Sequence, residues 1–217
     1  MRRAALVAAR ELRADMRHPD GIATAMTLMG ALVLVESVVV GPQTARDVAP
    51  ALYWISLFFA AVVLTTRSFE RELADDAIDA VLALPGGRDA LYAGKLLALA
   101  ATLALVAIVG AILQIALVDL RLALPGHAAL AVALGVVALP AVVILDVALT
   151  LRLRARAALV PILAVPALLP QLIAATNAVS LASVGDAAGS IAWSGLLLAV
   201  GLIYAVTGLT IGGTAIE

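Results

Sequence analysis

The stretch Arg67–Lys95, RSFERELADDAIDAVLALPGGRDALYAGK, is the longest part of this chain that a bilayer would not accept. It lies between two long uncharged runs, and its first half has helical periodicity. Glu72, Asp75, Asp76 and Asp79 recur at i, i+3, i+4 and i+7, which stacks four carboxylates on one face. Phe69, Leu73, Ala77, Ala80, Val81 and Leu84 take the other face. Arg71 and Asp75 form an i, i+4 pair, and Pro85-Gly86-Gly87 stops the helix. A two-faced helix over 67–85, held between membrane spans, has the form of a docking surface for a soluble partner. The alternative is a solvated connector with ordinary surface charge.

The composition around this segment is that of a polytopic membrane protein. The 217 residues have a mean hydropathy of +1.13, with 64% hydrophobic and 13% charged side chains. A net charge of −1 gives no basis for nucleic-acid binding, so the charges matter by position. There is no cysteine, which excludes disulfides, thiolate metal sites and cysteine nucleophiles. The amino terminus lacks the sustained apolar core and small-residue cleavage site of a signal peptide, so the first span is expected to act as its own insertion signal.

Residues 1–18 read as an amphipathic interfacial helix. Arg3, Arg10, Arg13 and Arg17 share one face, and Ala5, Ala9, Leu12 and Met16 another. Such a helix suits the anionic headgroup layer, where each basic side chain contributes about 1 kcal/mol; flanking charge that only sets orientation is the simpler reading. His18-Pro19-Asp20-Gly21 breaks the helix. Six apolar runs follow at 22–41, 48–66, 96–118, 128–150, 157–177 and 191–213, each close to the ~20 residues needed to span a hydrocarbon core. Gly41-Pro42, Leu124-Pro125-Gly126-His127 and a polar run from Asn177 to Ser190 separate them. Of the 14 Lys and Arg residues, only Arg46 and Arg121 fall on one side of this arrangement. The twelve others, Lys95 among them, fall with both termini and the 67–95 segment, which places that side in the cytoplasm. No internal repeat is evident, so the chain reads as one all-α transmembrane domain over 1–217.

Within the spans few residues carry chemistry. Glu36 is an ionisable group inside the first span, with outward snorkelling, structural pairing or a place on a substrate path all open to it. Asp146 lies close to Arg152, Arg154 and Arg156, which favours a local ion pair. Pro161, Pro166 and Pro170 predict a kinked fifth span buried against protein, since each removes a backbone donor and frees a carbonyl. Gly195, Gly201, Gly208, Gly212 and Gly213 in the sixth span permit close helix approach. There is no HExxH, no GxSxG and no Gly-rich loop followed by Lys and Ser or Thr, so a nucleotide is expected to act only through a partner. No metal site is expected.

An amphipathic basic amino terminus, six spans with both ends inside and an acidic helix after span two resemble an ABC-type exporter permease. More closely, the chain resembles the heme exporter protein B family, the membrane subunit of the cytochrome c maturation ABC transporter. Glu11-Leu12-Arg13 through Arg17-His18, Ala49-Pro50-Ala51-Leu52-Tyr53-Trp54, and Phe69 to Pro85 carry the likeness. In the last of these, Phe69, Glu70-Arg71, Asp75-Asp76-Ala77-Ile78-Asp79 and Val81-Leu82-Ala83-Leu84-Pro85 follow the family pattern of Phe, a charged pair, Asp-Gly-small-Leu-Glu and a leucine-rich run ending in Pro. Asp76 replaces the usual glycine and Asp79 the usual glutamate. The proline-rich fifth span, LVPILAVPALLPQLI, also looks like the family's.

The resemblance implies a non-enzymatic permease of the inner membrane that docks a cytoplasmic ABC ATPase through Phe69, Glu70, Arg71, Glu72, Asp75, Asp76, Asp79, Leu82 and Pro85. The partner would hydrolyse ATP. A heme-handling membrane protein, a periplasmic heme chaperone, a second permease copy and membrane lipid are the other implied partners, with heme transported or held by a companion. No cofactor is expected on this chain, because two His, four Met and three Tyr at scattered depths form no axial pair for heme iron. A generic ABC-2 permease exporting a drug, lipid or glycan precursor is the alternative within the transporter class. An integral-membrane acyl or phosphatidyl transferase, or a passive scaffold, stands outside it.

Overall fold

Two adjacent aromatic residues, Tyr53 and Trp54, show where the centre of the fold lies. The Tyr53 hydroxyl donates to the carbonyl of Ala107 at 2.9 Å, while Trp54, its ring edge-on to Tyr53 at 5.5 Å, packs on Gly135, where even a Cβ would come within 2.2 Å of the indole. Neighbouring positions of one helix thus grip two different partners. The computed structural model describes residues 2–40, 42–74, 87–150 and 156–212.

Among these residues there are seven α-helices and no strand: α1 (Arg2–Arg17), α2 (Asp20–Val39), α3 (Pro42–Ala74), α4 (Gly87–Val118), α5 (Pro125–Thr150), α6 (Arg156–Val184) and α7 (Ala187–Thr207), the last continued by a π-helical turn over Gly208–Gly212. Six, α2 to α7, are long and apolar enough to cross a membrane. The protein is therefore an all-α, multi-pass membrane protein. α3 and α5 are central, with about three-fifths and two-thirds of their spanning windows buried, whereas α2 and α7 bury only about a fifth. One group is formed by α2, α3 and α4, with α1 laid against α4, and a second by α5, α6 and α7; α3 and α4 join the two.

Chain reversals set one end of the bundle apart from the other. Asp119–Leu124 links α4 to α5, and its Ala123 and Leu124 amides donate to the carbonyls of Ser183 and Ala182 at the end of α6. Gly185, at φ +92°, a conformation that glycine adopts without strain, turns α6 into α7, and Asp186 caps α7 through the Gly189 amide at 2.9 Å. At the same end Asp119 gathers both arginines of that side, Arg46 at 2.5 Å and Arg121 at 3.3 Å. At the opposite end lie α1, the last turns of α3 and the first of α4. There the Tyr92 hydroxyl donates to the Ala141 carbonyl at 3.0 Å and fills the space beside Gly208.

The helices differ from the sequence reading in several places. The spans run over Asp20–Val39, Thr44–Arg71, Asp89–Val118, Pro125–Leu149, Val165–Val184 and Ala187–Thr210. The turn placed at Leu124–His127 is at Asp119–Leu124 instead, and Pro125 opens α5, where its missing N–H costs nothing. The polar run from Asn177 does not end α6. Asn177 Nδ2 donates to the Ile173 carbonyl at 2.8 Å and Ser183 Oγ to Ser180 at 2.6 Å, so these groups are satisfied along their own helix. The prolines of α6 do not interrupt it either: Pro166 and Pro170 sit on its exposed face, while Leu168 and Gln171 turn inward. The second half of the expected 67–85 helix, from Asp75 onward, lies outside the described residues.

Replacing Gly135 by Leu is expected to destabilise the bundle by about 1–3 kcal/mol, because Trp54 has no room to yield. Gly195→Ala, where nothing lies within 4 Å of the added carbon, is the control and is expected to be neutral or slightly stabilising. Thermal unfolding of the purified protein in detergent reads both.

Candidate functional site

Lys95 stands one and a half turns into α4's spanning stretch and is 1% exposed. A charged ammonium so far removed from water must be answered inside the protein. Its Nζ donates to Ser68 Oγ at 2.7 Å, and the Ser68 hydroxyl in turn donates to Glu11 Oε2 at 3.0 Å. Glu11 Oε2 is also 3.7 Å from Nζ, so the hydroxyl bridges an ion pair between α4 and α1. The ring of Phe69 lies 4.4 Å below the ammonium and supplies its negative face. Three helices meet at one cation.

A second ion pair lies beside the first. Arg71 Nη2 binds Asp15 Oδ1, and the Thr102 hydroxyl is 3.3 Å from Asp15 Oδ2. Glu11 and Asp15 are four residues apart and share a face of α1 with Ala4, Val7 and Ala8. The small residues allow close approach: a Cβ on Gly94 would come 2.5 Å from Val7. Arg10 closes the rim by pairing with Glu11 Oε1 at 3.1 Å. α1 is thus held by packing and by two carboxylates, with Ser68 and Arg71 of α3 and Lys95 and Thr102 of α4 as counterparts.

This arrangement corrects the reading of α1 as a helix with one basic and one apolar face. A third face, with Ala4, Ala8 and Glu11 buried, lies on the protein, whereas Met16 is 80% exposed. The arginines Arg3, Arg13 and Arg17 point outward. Lys95, counted from sequence as a flanking charge, is internal.

The residues singled out in the 67–85 segment divide sharply. Phe69 is buried under Lys95, Glu70 is exposed, and Arg71, expected to pair with Asp75, is held by Asp15 of α1. Glu72 belongs to the last turn of α3, while Asp75, Asp76, Asp79, Leu82 and Pro85 lie outside the described residues. Glu36 is far from this cluster. It is 2% exposed and accepts from Gln114 Nε2 at 2.7 Å, so it pairs inside the bundle rather than reaching outward. Asp146 is buried on α5, and the side chains of Arg152, Arg154 and Arg156 lie outside the described part. Glu11, Asp15, Ser68, Thr102 and Gln114 were not picked out as site residues. The usable signal was a pair of acids four apart on an otherwise basic helix, together with a lysine directly beside an apolar run.

The model of the CcmB protein family matches residues 2–215. The chain belongs to the CcmB family. No curated relative matches it. Membership of the CcmB family makes the chain a permease component of heme export in cytochrome c maturation, and a membrane transporter subunit. The three stretches that carried the resemblance contain Glu11, Trp54 and Phe69, each buried at a helix contact described above.

Lys95→Met is expected to cost about 3 kcal/mol, since it takes the buried cation away from the buried Glu11. Removing both charges with Lys95→Met and Glu11→Leu together is expected to recover most of that loss. Denaturation midpoints of the two single variants and the double variant measure the coupling.

Proposed function

We propose that the end of the bundle carrying α1 faces the cytoplasm of the cell's inner membrane, with both termini there, and that the segment Arg67–Pro85 docks an ATP-hydrolysing subunit. The observation that carries this reading is the continuity of α3. From Pro42 to Ala74 it is one helix, so the docking segment continues directly from a central spanning helix. Its last turns are fixed to α1 and α4 by the Lys95 and Arg71 clusters. Force applied to Arg67–Ala74 by a nucleotide-driven partner reaches the membrane interior through a continuous helix. The distribution of basic residues supports the same orientation.

In this reading the chain performs no chemistry of its own; the partner hydrolyses ATP. A heme-handling membrane protein and a periplasmic heme chaperone act beside it, and a second permease copy completes the pathway. Heme is held by a companion rather than ligated here. His18 lies at the α1–α2 break and His127 in the first turn of α5, at the opposite end. Tyr53 and Tyr92 already donate to backbone carbonyls, and Met29 is packed against Gly110. The outward arginines of α1 suit anionic headgroups.

Changing Asp75 and Asp79 to Lys tests the docking assignment. The variant is expected to reach the membrane in normal amount but to lose the copurifying ATPase subunit and cytochrome c production. Retained partner binding with normal cytochrome c would favour a solvated connector.

A further inference from the structure

Glu36 is a buried carboxylate that the clusters around α1 do not use. It lies one turn before the end of α2, far from α1, with Met29 and Val33 buried on the same face of its helix. Gln114 of α4 donates its amide N–H to Glu36 Oε2 at 2.7 Å. Each partner then keeps one oxygen, Glu36 Oε1 and Gln114 Oε1, that is buried without a hydrogen-bond partner.

No basic side chain answers this carboxylate among the described residues. α2 packs against α3 and α4, with a slight contact to α1. The charged residues at this end of α3, Arg46 and Asp47, are exposed, and Arg46 is engaged with Asp119, as is Arg121 beyond α4. An ionised carboxylate only accepts hydrogen bonds, and so does an amide oxygen. The ionised pair would therefore leave two acceptors unsatisfied and a charge unanswered between two spanning helices.

One proton removes all three defects. We infer that Glu36 carries a proton on Oε1 and donates it to Gln114 Oε1, closing a ring of two antiparallel hydrogen bonds between acid and amide. The proton comes from solvent hydronium, whose O–H bond breaks as the O–H bond on Glu36 Oε1 forms, leaving a water molecule and a neutral carboxylic acid. The pair is thus a proton-binding site inside the membrane. It pins α2, one of the two least buried spans, to α4 by a neutral pair of hydrogen bonds, of which only the Gln114 N–H bond to Oε2 remains when the proton leaves.

Infrared difference spectroscopy of the purified protein in lipid nanodiscs, wild type against Glu36→Gln, tests this. The substitution preserves two hydrogen bonds as an amide–amide ring and is expected to leave the unfolding midpoint near the wild-type value. The expected difference is the carbonyl stretch of a protonated carboxylic acid at neutral pH, which moves to higher frequency in Gln114→Leu as its hydrogen bond is lost. Carboxylate stretching bands assigned to Glu36 by the same subtraction would overturn the inference, as would bands that follow exchange of sodium for potassium. Should Glu36→Gln not fold, wild type against Gln114→Leu reads the same carbonyl shift.

Discussion

Lys95 is a cation that has lost its water, and the arrangement of three helices follows from that. A buried ammonium without partners would not be tolerated, and leaving one member of a buried pair alone costs about 3–5 kcal/mol. Ser68, Glu11 and Phe69 meet the requirement from two other helices. Because Glu11 belongs to α1 and Ser68 to α3, satisfying one charge fixes the amino-terminal helix, the exit of a central spanning helix and the entry of the next. Arg71 with Asp15 repeats the arrangement one turn further along. The net stabilisation from such pairs is modest; their contribution is to specify one geometry among many that apolar packing would allow.

The two ends of the bundle solve the charge problem differently. Around α1 the ions range from buried Lys95 and Glu11 to half-buried Arg71 and Asp15 and are distributed over three helices. At the far end Asp119 collects Arg46 and Arg121 on the surface, where ion pairs contribute little. Between them the membrane-spanning layer holds few ionisable groups, and Glu36 is accommodated through an amide rather than a cation. The end carrying α1 is stiffened by contacts among three helices, and the far end is not.

Much of this was legible in the sequence because lipid imposes simple rules. Runs of about twenty apolar residues marked the six spans. Boundaries were less legible where polar side chains continue a helix. Asn177 and Ser183 bond back to their own helix, so a polar run did not mark a turn. Likewise α3 passes Arg67 without a break. The buried cluster was hidden for a different reason. Ser68 is 57 residues from Glu11 and Arg71 is 56 from Asp15, and helical periodicity places acids on a face without revealing what lies opposite. Gln114, 78 residues from Glu36, carried no sign of its role.

The central claim is that α1 is held to the bundle by the charge on Lys95. Hydrogen–deuterium exchange of the protein in nanodiscs measures this directly, with wild type compared to Lys95→Met. The expected result is faster exchange of the α1 amides from Ala8 to Arg17, with the spanning parts of α5 and α7 unchanged. Equal protection of α1 in the two proteins would contradict the account.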